Sequence, residues 1–83
     1  MRPERLLRRL KTGNLTNVSF PDFQRLIEAL GFELEGIRGS HHIYRHIEHA
    51  ARLNLQPVMG QAKPYQIRQF LALVEQYDLK LEG

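Results

Sequence analysis

Between two stretches of helical apolar spacing the chain carries three short segments of strand character, and this switch of period narrows the available folds more than any other feature. Phe23, Leu26, Ile27 and Leu30 recur on one helix face, and Ile67, Phe70, Leu71, Val74 and Tyr77 form a wider stripe further on. Between them, residues 32–37 (Phe-Glu-Leu-Glu-Gly-Ile) and 53–58 (Leu-Asn-Leu-Gln-Pro-Val) alternate apolar with polar, as a half-buried antiparallel sheet requires. Residues 41–48 form the middle strand. Arg38-Gly39-Ser40 supplies the first hairpin turn, and the second connection, near His49 to Arg52, is looser. Pro57 has no N–H for a central ladder, so the third strand ends there or lies at an edge.

Local signals bound the helices. Ser19 reads as an N-cap with Asp22 three residues on and Pro21 in the first turn, and Gly31 suits the left-handed position that follows. Pro64 opens the last helix, after a loop formed by Met59-Gly60-Gln61-Ala62-Lys63. Upstream, residues 3–12 read as a further short helix with Pro3 in its first turn, Leu6, Leu7 and Leu10 as a narrow stripe, and Gly13 ending it. The order is α, then α-β-β-β-α. That is an α+β class: a three-stranded antiparallel sheet with two helices packed on one face, plus an extra N-terminal helix. A chain of 83 residues suits one small domain, so residues 1–83 are expected to form a single unit.

With no cysteine, disulfides, iron–sulfur clusters, thiolate zinc sites and cysteine nucleophiles are excluded together. No apolar run approaches the ~20 residues of a membrane span and no secretory leader pattern opens the chain, which points to a cytoplasmic protein. The net charge is +3, and Arg2, Arg5, Arg8, Arg9 and Lys11 crowd the N-terminus against the single acid Glu4. A polyanion is the favoured partner; the competing reading is a solvated helix face.

Three of the four histidines fall within Gly39-Ser40-His41-His42-Ile43-Tyr44-Arg45-His46. Imidazole takes and gives protons near neutral pH, so an exposed histidine at a strand start in a basic protein points to acid–base work on an anionic substrate. The competing reading of His41 is a turn histidine held by backbone hydrogen bonds. Alternation puts His41, Ile43, Arg45 and Ile47 on one sheet face and His42, Tyr44 and His46 on the other. Tyr44 as core exposes His41, whereas the isoleucines as core would bury it. The histidine spacings would suit a metal on a helix, but strand positions four apart are separated by about 13 Å, so no metal site is expected. The loop from Gly60 to Lys63 entering the helix at Pro64 is a candidate phosphate seat, with Lys63 in the loop and Arg68 one turn further in; the competing reading is solvated cations with no ligand. Tyr65 either stacks on a base or covers the core, and the core is the expected place.

Two separate motifs in the right order, Gly31-Phe32 through Gly39-Ser40-His41-His42-Ile43-Tyr44-Arg45-His46 to Leu53-Asn54-Leu55-Gln56-Pro57, then Lys63-Pro64-Tyr65-Gln66-Ile67-Arg68-Gln69, make the chain resemble a HicA-type toxin of a bacterial toxin–antitoxin pair over roughly residues 20–80. The resemblance implies a double-stranded-RNA-binding-domain-like fold, metal-independent cleavage of mRNA with no cofactor, and neutralisation by a HicB-type antitoxin. The family's catalytic histidine directly follows Gly-Ser, which is His41 here, so the resemblance selects the exposed-His41 face. Ser40, Arg45, Lys63 and Arg68 are the candidate RNA contacts. His42, Lys63 and water remain open as the general acid. The arginine-rich helix at residues 3–12 is additional to short family members, and Leu-Asn-Leu-Gln-Pro matches only one subgroup. The rival function is a non-catalytic RNA-binding module of the same fold, holding duplex backbone through the basic helix and the Lys63 region.

Overall fold

The computed structural model describes residues 1–81. The elements run α1 (Pro3–Lys11), β1 (Val18–Ser19), α2 (Phe20–Ala29), β2 (Phe32–Arg38), β3 (His41–His46), β4 (Arg52–Leu55), β5 (Gln61–Ala62) and α3 (Pro64–Gln76). Strands β2, β3 and β4 form an antiparallel sheet in that order, with β3 central. This is the α-β-β-β-α layout of a double-stranded-RNA-binding-like fold, with α1 added in front.

Each main helix starts where its local chemistry directs. The Asp22 N–H donates to Ser19 Oγ at 3.2 Å, and Pro21 sits in the first turn of α2, where its missing N–H leaves no bond unmade. In α3 the Gln66 side chain accepts from the Lys63 N–H at 3.4 Å, and its amide reaches back to the Gln56 carbonyl at 3.0 Å. Gln66 is 1 % exposed, so a buried polar group ties the first turn of α3 to the end of β4.

The core lies between the sheet and the two main helices. Phe32 on β2, Tyr44 on β3 and Leu53 and Leu55 on β4 face Phe23, Leu26 and Ile27 of α2 and Ile67, Phe70 and Val74 of α3. Phe70 meets Phe23 edge-on at 5.3 Å and Phe32 at 6.3 Å between centroids. Helix α1 packs on α2 through Leu6, Leu7 and Leu10, so its arginines lie on the far side of the helical layer from the open sheet face.

Three expectations need correction. Gln61 and Ala62 are not loop but a strand, β5, paired antiparallel with Ser19 and Val18. Met59 and Gly60, at φ 53 and 76, form the two-residue turn with both φ positive that twist-matches a hairpin, bonding Val58 to Gln61 in both directions. The third strand is shorter than 53–58 and stops at Leu55, two residues before Pro57. Tyr65 is not core but 60 % exposed, because the helix stripe that faces inward runs through Gln66 and Ile67.

Candidate active site

The sheet has one covered face and one open face, and alternation along β3 divides its side chains between them. Tyr44 is 1 % exposed, and its hydroxyl accepts from Gln24 at 3.0 Å; burial pushes its pKa up, with the Gln24 bond acting in the opposite direction. His46 is likewise buried. His42 is half-buried on the helix side, edge-on to Phe20 at 5.0 Å, with Nδ1–H donating to the Ser40 carbonyl at 3.1 Å. His41 and Arg45 are therefore the outward pair, both exposed.

Gly39 and Ser40 form a two-residue turn, with Gly39 at φ +60, and Arg38 pairs with His41 across its base. Register then determines what surrounds the imidazole. Ile43 opposes Gly36 on one side and Asn54 on the other, and Arg45 opposes Glu33 and Arg52. Between Leu34 and Gly36 the ladder slips, leaving Glu35 without a partner. Such a bulge re-aims side chains near sites. Because Gly36 has no side chain above Ile43, and a Cβ there would meet nothing within 4 Å, the open face is hollow at this point. The hollow has a volume of about 610 Å³ and is lined by Glu35, Gly36, Ile37, Arg38, His41, Ile43, Arg52 and Asn54. His41 Nδ1 lies 3.0 Å from Asn54 Oδ1, and Arg52 lies 3.6 Å from a Glu35 carboxylate oxygen.

The hollow thus offers one imidazole with one ring nitrogen engaged, two guanidinium groups, an amide and a carboxylate on an apolar floor. Cations beside a proton-exchanging group match the needs of charge transfer at a phosphate. Of the residues singled out from sequence, Arg45 shares this face but stands outside the hollow's lining, and Ser40 sits in the turn beside it. Lys63 is the N-cap of α3 and Arg68 lies exposed on that helix; neither lines the hollow. His42, on the other face, does not share it either. Asn54, Arg38, Arg52 and Glu35 were not anticipated. The polar positions of Leu53-Asn54-Leu55, read together with His41 by alternation, carried the signal for Asn54.

Among the described residues no group of three His, Cys, Asp or Glu is placed to hold a metal ion, and no helix is long and apolar enough to cross a membrane. No curated protein and no solved structure matches the chain. The match that does exist runs from the first residue of α2 to the last of α3: residues 20–76 fit the family model described as the HicA toxin of bacterial toxin–antitoxin, and the chain belongs to that family.

Proposed function

We propose that this toxin is a metal-independent endoribonuclease of messenger RNA, working in the cytoplasm, with His41 as its acid–base residue and a HicB-type protein as its antitoxin. The observation that carries the reading is the exposed His41 ring in the hollow, flanked by Arg38 and Arg52. RNA brings its own nucleophile. His41 Nε2 takes the 2′-hydroxyl proton, the 2′-oxygen attacks phosphorus, and the 5′-oxygen leaves with a proton from a general acid, yielding a 2′,3′-cyclic phosphate. The arginines stabilise the charge that builds on the phosphorane oxygens. Ser40, Arg45, Lys63 and Arg68 hold flanking RNA, Lys63 and Arg68 by charge near the N-terminus of α3. Chain 1–83 acts as one unit, since α1 seals the helical layer.

The deciding experiment is cleavage of an RNA transcript by the full chain and by His41→Ala, each with and without EDTA. Cleavage by the wild type in EDTA, with loss in a folded His41→Ala protein that still binds RNA, is the expected result. Full cleavage by His41→Ala removes the assigned role. Loss in EDTA restored by a divalent ion removes the metal-free chemistry. RNA binding without any cleavage by the wild type identifies a non-catalytic binding module instead.

A further inference from the structure

We propose that Asn54 is the positioning residue of His41, fixing both the tautomer and the direction of the ring. This rests on the ribonuclease reading of the same hollow. Asn54 Oδ1 is 3.0 Å from His41 Nδ1, and an amide oxygen only accepts, so Nδ1 carries the hydrogen. The lone pair is then on Nε2, the nitrogen left free to take a proton in the hollow. Without a partner, an exposed imidazole at a strand start samples both tautomers and rotates about its broad second side-chain torsion.

The support behind the amide is rigid. Asn54 stands between Leu53 and Leu55, 2 % and 0 % exposed, whose burial holds β4 against the helices. Its register partner on β3 is Ile43, two residues beyond His41 on the same face, so the bond is a diagonal cross-strand contact. Being neutral, the amide orients the ring without adding a charge that would hold the proton on it. A carboxylate in that place would accept the same bond but favour the imidazolium.

Two readouts separate positioning from mere structure. In the wild-type protein, ¹⁵N shifts of the His41 ring at high pH should show a protonated Nδ1 and a pyridine-type Nε2; the reverse assignment overturns the proposal without reference to activity. In cleavage of an oligoribonucleotide, Asn54→Ala should lower kcat about 10- to 100-fold, part of the ~10²–10⁴ that a positioned base contributes, with KM changed less than about twofold. Asn54→Asp, nearly the same shape, should retain the Nδ1–H tautomer and move the acidic limb of the kcat/KM profile to higher pH. An unmoved limb overturns the proposal, as does undiminished kcat in Asn54→Ala while His41→Ala is inactive. If His41→Ala is also fully active, the acid–base role of His41 fails instead, and the tautomer measurement still decides the positioning claim.

Discussion

His41 and His46 begin and end the same strand, five residues apart, and an odd spacing sends them to opposite faces of the sheet. His46 is 5 % exposed with both nitrogens committed: Nε2–H donates to the Leu30 carbonyl at 2.8 Å, and Nδ1 accepts from the N–H groups of Glu48 and His49 at 3.0 and 3.3 Å. Phe32 meets the ring edge-on at 5.0 Å. His41 is exposed with one nitrogen bound and the other open to the hollow. A buried ring with both nitrogens bonded to backbone serves as a polar plug. A ring half-satisfied on an open face is available for chemistry. Burial and partner count, rather than residue type, make the distinction.

Exchanging the fates of the two rings is the sharpest test of that contrast. His41→Ala should lower cleavage about 10²- to 10⁴-fold while shifting unfolding stability by less than about 0.5 kcal/mol, measured on the same preparation by urea denaturation. His46→Ala should do the reverse. It leaves one carbonyl and two N–H groups unpaired beside a cavity, at a cost of about 2–4 kcal/mol against a net stability on the order of 5. Cleavage per folded molecule should be retained. Equal stability of the two variants would break the comparison.

Gly31 tests the same plug from the other side. Its φ is +100, and a Cβ there would lie 2.6 Å from His46 Nε2, so Gly31→Ala meets both backbone strain and a clash with the ring. A loss of about 1–3 kcal/mol is expected. Thermal unfolding within a degree of wild type would show that the ring can move aside.

The two basic regions invite a gentler version of the test. Arg38, Arg45 and Arg52 belong to the open sheet face, whereas Arg5 and Arg8 sit on α1 behind the helices, and Arg9 already donates to the Thr16 carbonyl. Replacing Arg45 and Arg52 with Gln should flatten the dependence of RNA binding on log salt by about 0.7 per lost phosphate contact. The same change at Arg5, Arg8 and Arg9 should leave it unaltered. A flattened slope in the second set would place RNA on both sides of the molecule.

The smallest effect lies at the start of α2. The Met1 ammonium, 3.2 Å from the Asp22 carboxylate, and then Arg25 hold its pKa below the ordinary value, against a smaller opposing effect of burial. A depressed carboxylate adds stability that is full above its unfolded pKa near 4 and disappears as pH falls through its folded value. The melting-temperature gap between wild type and Asp22→Asn should therefore be widest near neutrality and close in strong acid; a constant gap would remove the ion pairs from the account.

What was readable in advance follows from locality. The Ser19 cap, the proline starts, the Gly39-Ser40 turn and the apolar stripes each depend on residues within one or two turns of one another. The family motif added the choice of face, which Ile43 and Ile47 made ambiguous. Tyr65 was misassigned because one place along a helix turns a side chain by about 100°, and a buried Gln66 occupies the inward position.

The sequence by itself determined the element order, the two-faced strands and the histidine behind the turn, because period, caps and turn chemistry act between near neighbours. Only the tertiary structure decided which residues share the hollow. Arg52 and Asn54 reach His41 through strand register, Glu35 through a bulge no local signal marks, and Ser19 pairs with Gln61 in a separate two-stranded sheet. Register is set where distant segments bury their apolar faces together, so a site assembled across strands exists only once the core has closed.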